Sequence, residues 1–351
     1  MKQSGKRIST LSIAFILIGA LFGASSASGQ EILKFFNAYG KWGGAGLLLC
    51  FFLYSAFGYM AYELSRGRNM PRMEDVVTPV DSPVVKTIVR VILLFGFFVV
   101  LTALLAAGDS LFVSQFGLPK GSGGAVLSVL VVLTNIYGFQ GIRRVLPLVV
   151  PVMLVIVLVI TVWVIGFSPR GTALAPEQFR SPLAPGWFVG ASLYLMYNFI
   201  LAIPIFSSLP DREEDRRRTV AGMILGFAGV IGIGFLIFLS IATDLDAAGQ
   251  YDLPMLYLAG KISPQVLYVY FAGMVTAVYC ASANTLYGLT RDIVGGKSPA
   301  RIAKVSLTCL AAYLTGLKGF TFVVTYIYPV QGYACILVSV CLVTAFLKRK
   351  K

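Results

Sequence analysis

The chain has 351 residues, of which 57% are hydrophobic and only 13% charged, with a mean hydropathy of +0.82. A soluble domain carries about a quarter charged residues, so this composition excludes one, and the apolar runs lack the period-two alternation of an outer-membrane barrel. With no histidine there is no imidazole relay, Ser-His triad or His-ligated metal, and the net charge of +14 has to be judged by where it falls.

Apolar stretches of about 20 residues recur along the whole length and read as transmembrane helices. In chain order they cover roughly 8–38, 42–64, 88–113, 122–139, 144–167, 186–209, 219–243, 264–290, 301–317 and 320–347. The expected fold is therefore an all-α polytopic membrane protein of about ten spans, forming one integral membrane domain over 1–351. The five cysteines (Cys50, Cys280, Cys309, Cys335, Cys341) all lie inside these runs and match no metal spacing, so they read as small buried hydrophobes.

The first span is unusual. A basic start (Lys2, Lys6, Arg7), a short apolar run and "ASSASG" read two ways, as a cleaved secretory signal or as a transmembrane helix that breaks and restarts. As one helix, residues 8–38 would be about 46 Å long, against a hydrocarbon core of about 30 Å. Gly19, Gly23 and Gly29, with Ser25, Ser26 and Ser28, cluster around its midpoint and weaken the helix there. Ser28 followed by Glu31 has the spacing of a capping box, a helix start at mid-membrane depth that a signal peptide has no need for. The broken-helix reading follows. Backbone freed at that depth is tolerated only inside protein or against a cavity, where its N–H and C=O groups become binding groups. Gly19, Gly23, Ala24, Ser25, Ser26, Ser28 and Gly29 are the candidate substrate-binding positions there.

If such a fold is built of two inverted five-helix repeats, about 8–167 and 186–347, the sixth span is the partner of the first. It reads "GWFVGASLYLMYNFILAIPIFSSL", and Pro204 predicts a second break, with Tyr197 and Asn198 as polar candidates for the site. The loop "DLDAAGQYDLPMLYLAGKIS" (244–263) predicts a short helix, with Asp252 as its N-cap and Pro254 in its first turn, lying across the outer mouth. The glycines at 222, 226, 229, 232 and 234 read as helix packing. Within the apolar spans only Glu31 and Asp109 are acidic, which makes them candidates for proton coupling or gating, with Glu31 also serving as the cap partner.

With the N-terminus in the cytoplasm, 22 lysines and arginines fall on the cytoplasmic side and 7 on the outer side, loop by loop. Both termini are then cytoplasmic. The positive charge is a topology signal and an attraction to anionic inner-leaflet lipid, so no nucleic-acid partner is expected. "DREEDRRR" (211–218) reads as a solvated loop. "GGKS" (295–298) is a turn and not a phosphate loop, because position 291 is an arginine where that motif needs glycine, so no nucleotide is expected.

The stretches "IGALFGASSASGQEILKFFNAYGKWG" and "YPVQGYACILV" resemble the amino acid–polyamine–organocation superfamily, and more closely the YkvI-type bacterial membrane proteins. The resemblance covers essentially the whole chain. It implies a leucine-transporter-like fold in a bacterial cytoplasmic membrane, with a solute site between the first and sixth spans. It also implies, in sodium-coupled members, an ion held between the first-span break at Ala20 and hydroxyls of the eighth span. Here those are Ser282 and Thr285, although the superfamily pattern has adjacent hydroxyls where this chain has Asn284–Thr285. No cofactor is expected beyond a sodium ion. The expected function is secondary transport of a small polar, amino-acid-like solute, coupled to sodium or protons. The alternative is a sensor or receptor subunit of the same fold that binds a small molecule without bulk transport. No catalytic constellation is visible, so an enzyme is not expected.

Overall fold

A computed structural model describes residues 9–66, 73–78, 82–137, 139–169, 176–206, 215–291 and 299–349. The basic start at Lys2, Lys6 and Arg7, the acidic part of the mixed-charge loop (211–214) and the 295–298 turn lie outside the described residues.

The described residues form helices and connecting turns. The first span is three pieces, α1 (Thr10–Leu21), α2 (Ala24–Ala27) and α3 (Gln30–Phe35), followed by a 3₁₀ turn at Asn37–Tyr39. Then come α4 (Lys41–Ser65), the short α5 (Met73–Val77), α6 (Pro83–Phe116), α7 (Ser122–Tyr137) and α8 (Phe139–Phe167). After a 3₁₀ turn at Pro176–Phe179 the chain continues through α9 (Trp187–Phe206), α10 (Arg216–Ala242), α11 (Leu245–Ala248), α12 (Pro254–Ile262), α13 (Pro264–Arg291) and α14 (Pro299–Gly316). The last span is α15 (Phe320–Phe322), a π-helical segment Val323–Ile327, and α16 (Tyr328–Arg349).

Local sequence sets these limits. Four helices, α6, α12, α13 and α14, begin on a proline, whose fixed φ and missing N–H suit a first turn. Gly117 closes α6 in the left-handed conformation at φ +62°. Among the described residues six helices are long and apolar enough to cross a membrane, and α1, α7 and α9 are shorter apolar helices. Their outward faces carry exposed large apolar side chains such as Phe52, Leu148, Val155 and Phe188, as lipid-facing helices do.

The helices pack around the broken first span. α1 lies along α10, α9 against α4 and α16, and α13 against α6 and α8. The α1–α10 approach depends on small residues, because a Cβ at Gly222 would stand 2.8 Å from the carbonyl oxygen of Thr10.

Two sequence expectations need correction here. Within the described residues the sixth span is not broken, since α9 runs as one helix from Trp187 to Phe206, through Pro204. A proline removes one helix hydrogen bond, to Ile200, and a helix can run on through that loss without breaking. Asp252 does not cap α12. Leu253 stands at that position, and the Asp252 carboxylate is engaged elsewhere.

Candidate solute-binding site

The first span is interrupted twice, with different outcomes. At the first interruption α1 ends at Leu21, Phe22 leaves the helix, and Gly23 is extended at φ −86°, ψ 178°. The Phe22 N–H reaches back to the Ile18 carbonyl. Among the described residues no donor reaches the carbonyls of Gly19, Ala20 or Leu21, and the N–H groups of Gly23, Ala24, Ser25 and Ser26 find no acceptor. A Cβ added at Gly23 would meet nothing within 4 Å, so the chain borders open space there.

The second interruption is closed. Gly29 takes φ +83°, a left-handed conformation that glycine adopts without penalty. The carbonyls of Ala27 and Ser28, freed by this turn, are both taken up. The Tyr270 hydroxyl donates to Ala27 at 2.7 Å and the Met255 N–H, in the first turn of α12, donates to Ser28 at 3.0 Å. Gly29 is packed under the same residue, since a Cβ there would lie 2.9 Å from Met255 Cγ.

The Ser28–Glu31 capping box does not form. The Ser28 hydroxyl donates to the Ser25 carbonyl at 2.6 Å and accepts from the Gln30 N–H at 3.2 Å. Glu31 turns away from the cap and into the interior, where it is 2% exposed. Its carboxylate accepts from the Ser25 hydroxyl and, at 3.1 Å, from the Ser26 hydroxyl. Because a hydroxyl has one proton and that of Ser25 goes to Glu31, Tyr328 donates to Ser25 at 3.1 Å. Tyr197 and Asn198 of α9 flank the same carboxylate. The Tyr197 ring packs on Tyr328 at 4.5 Å and on Tyr194 at 5.6 Å between centroids, and its buried hydroxyl has no partner. None of the ion pairs among the described residues involves Glu31.

Of the positions singled out in the sequence, Gly23, Ala24, Ser25, Ser26, Glu31, Tyr197 and Asn198 thus meet at one place. Gly19 and Ala20 lie in the last turn of α1, on its approach, while Ser28 and Gly29 serve the second turn. On α13 the Ser282 hydroxyl is fully buried with no partner, and Thr285 donates to the carbonyl of Ala281 in its own helix at 2.8 Å. Asp109 performs a structural task. Its two carboxylate oxygens accept from the N–H groups of Gly121 (2.8 Å) and Gly124 (3.0 Å), holding the start of α7.

On the α12 side of the site lies a cavity of about 660 Å³ between α6, α12 and the start of α15, with Asp109 in its wall. Its floor is a latch. Asp252 accepts from Ser110 of α6 at 2.7 Å and from Thr321 of α15 at 2.5 Å, and Thr321 in turn accepts from the Gln30 amide at 2.8 Å. Gln30 adjoins Glu31, so these hydrogen bonds join α3, α6 and α15 to the segment leading into α12. Tyr328, Gln30, Thr321 and Gln331 were not singled out in the sequence. Tyr328 and Gln331 lie in "YPVQGYACILV", where a glutamine in an apolar run was the available signal. Gln331 is fully buried, and neither its Nε2 nor its Oε1 has a partner.

A helix bundle whose first span unwinds beside a buried polar cluster is an arrangement found in folds with discontinuous helices. The solved structures agree. The chain matches the inward-facing conformation of Mhp1 at a TM-score of 0.57 and 15% identity, over 99% of this chain and 80% of Mhp1. It also matches Mhp1, described as a nucleobase-cation-symport-1 family transporter, in a closed conformation with bromovinylhydantoin bound, at a TM-score of 0.50 and 16% identity over 95% of this chain and 77% of that one. At these identities the likeness is one of fold, and it is the leucine-transporter-like fold that the motifs implied.

Among curated proteins the chain is homologous to the uncharacterized membrane protein YkvI of Bacillus subtilis (strain 168), 26% identical over 353 residues that span 100% of this chain and 98% of YkvI. It also resembles the uncharacterized protein YyaD of the same organism, 21% identical over 93% of this chain and 94% of YyaD. No family model matches the chain.

Proposed function

We propose that this chain is a secondary transporter of a small polar organic solute, amino-acid-like or amine-bearing, working by alternating access around the broken first span. The observation that carries the reading is the open interruption at Gly23. Among the described residues, backbone groups without partners border free space there, beside the buried Glu31 carboxylate and its serine hydroxyls. A protein interior satisfies its backbone unless the position is reserved for a guest. The Mhp1 structure with a bound hydantoin supports a solute of that size on this fold.

In this reading the chain makes ten spans in two inverted sets of five, with α9 as the counterpart of the first span. Both termini face the cytoplasm of a bacterial cell, and the α12 cavity opens outside. The partnerless carbonyl of Ala20 and the partnerless hydroxyl of Ser282 are the groups we assign to a coupling sodium ion, which prefers oxygen ligands. Uptake into proteoliposomes tests the reading. Accumulation of a labelled amino acid or amine driven by a sodium or proton gradient is the expected result. The reading fails if no solute of either class exchanges across the membrane under any gradient.

A further inference from the structure

We propose that Asp252 is a two-partner switch, held by the hydroxyls of Ser110 and Thr321 in this structure and by the ammonium of Lys34 once those hydroxyls withdraw. This rests on the alternating-access reading and deepens it, because the exchange carries a movement of the outer segments to the broken span.

First, Lys34 of α3 is buried, at 8% exposure, and among the described residues no oxygen accepts from its ammonium and no carboxylate pairs with it. The Phe179 ring lies 5.9 Å away at its centroid, and Asp252 is the charged group whose field reaches it. A buried ammonium with neither anion nor acceptor is costly. The cost is recovered in an arrangement that supplies a partner.

Second, two separate chains of contacts bring Lys34 to the segment that holds Asp252. Gln30, one helical turn before Lys34 on the same face of α3, donates to Thr321, which donates to Asp252. From the other side, the Phe179 ring beside Lys34 packs on Gly249, where a Cβ would stand 2.4 Å from it. Gly249 is one short turn before Asp252 in the chain.

Third, Thr321 is the divider between them. Its hydroxyl gives its proton to Asp252 at 2.5 Å and accepts from Gln30 Nε2 at 2.8 Å, and Gln30 Oε1 is left buried without a partner. If α15 withdraws, Asp252 loses a donor and the Gln30 amide is released at the same moment. An ammonium has several protons to give, so Lys34 then donates to Asp252 and to Gln30 Oε1 together. Two groups unmet in this structure are satisfied, and a neutral hydroxyl donor is replaced by a charge-assisted one.

Fourth, α3 is a short lever. It has six residues, is set off from α1 by the extended Gly23 and the left-handed Gly29, and carries both Lys34 and Glu31. A pull on Lys34 turns this one piece while α1 stays on α10, because the two interruptions absorb the backbone change. The Glu31 carboxylate, with its hydrogen bonds to Ser25 and Ser26, moves with it. The two partner sets of Asp252 thus correspond to two settings of the buried cluster.

A water-soluble carbodiimide, which joins a carboxylate to an amine it touches, tests the switch on the full chain in nanodiscs with no solute added. Digestion and mass spectrometry identify the links, and the pairs Asp244–Lys261 and Asp75–Lys86, already in contact, serve as internal standards. The expected result is a Lys34–Asp252 link, severalfold more abundant in Thr321→Val and in Ser110→Ala, where the hydroxyl partners are removed. In Lys34→Met the hydroxyls have no competitor, so amide exchange across 252–256 should slow severalfold, whereas loss of a merely structural lysine would speed it. Standard links without any Lys34–Asp252 link in wild type and both hydroxyl variants would overturn the switch. Faster exchange in Lys34→Met would overturn it too. Both readouts are independent of solute, so either failure leaves the carrier reading to be decided by uptake.

Discussion

Gly23 and Gly29 stand six residues apart in one span and do opposite things. Gly23 has an extended backbone that alanine adopts freely and open space where a methyl would go. Gly23→Ala should therefore leave stability unchanged or raise it by ~0.5 kcal/mol, by restricting the unfolded chain. It should also weaken solute binding severalfold, because the methyl stands where backbone groups meet the guest. Gly29→Ala places a side chain at φ +83° and against Met255, and should cost more than ~1 kcal/mol. Thermal unfolding and solute binding, measured on both variants, separate the two roles. A loss of stability in Gly23→Ala comparable to that in Gly29→Ala would mean that the first interruption is structural too. At this scale the sequence was legible in part. Glycine and serine density marked the break, and polarity in an apolar run marked Glu31, Tyr197 and Asn198. The direction in which Glu31 points was not legible, because a capping box and a buried carboxylate share the same spacing. The partners of Asp109 were not legible for a similar reason, since an acidic residue in a span looks the same whether or not it accepts from two backbone N–H groups.

At the scale of elements, α12 is the piece that ties the cavity to the break, through Met255 to Ser28 and through Asp252 to Thr321 and Gln30. Its presence was legible from Pro254, but its attachments were not, because they join residues from 69 to 291 positions apart. Asp252→Asn leaves one side-chain oxygen where two hydroxyls now donate. Faster amide exchange across 28–35 and 252–256 is the expected outcome, and unchanged exchange would show that the latch is not holding. A clamp secures the other end of α12. Asp244 accepts from Lys261 and, at 2.8 Å, from Tyr257. Burial alone would raise the Asp244 carboxyl, but the bonds from Lys261 and Tyr257 outweigh it and hold the group below its usual value. The bond to Asp244 lifts the Lys261 ammonium above its usual value. The depressed carboxyl contributes above the ordinary carboxylate value of about 4 and is lost as pH falls through its folded value. The raised ammonium contributes below about 10 and is lost as pH rises through its own. Exchange protection of 244–262 should accordingly be flat between about pH 5 and 9, fall on either side, and drop throughout in Asp244→Asn. The π-helical segment of the last span left no sequence mark. Its consequence is local, as the Thr325 carbonyl accepts from the Ser181 hydroxyl at 2.6 Å while Tyr328 is delivered to the carboxylate cluster.

For the molecule as a whole, hydropathy made the helical membrane class legible, and length against bilayer thickness exposed the divided first span. The continuity of α9 was not legible, because a proline kink, a break and a continuous helix all contain the same residue. Coupling belongs to this scale. If sodium bridges the end of α1 and Ser282, the ion stabilises the whole fold by mass action, by about 2.7 kcal/mol at a hundredfold excess over its dissociation constant. The melting temperature should then rise with sodium and not with potassium, and Ser282→Ala should remove the rise. A sodium response unchanged in that variant would place the ion elsewhere.

The five thiols have a practical consequence. Each is unbridged and shielded, from Cys50 in α4 to Cys341 in α16. The natural polypeptide is thus close to silent toward water-borne maleimides without any prior removal of cysteines. A single reporter placed at position 23, or on either rim of the bundle, would give the only signal, and its reactivity from each face of the bilayer would time the opening of the passage.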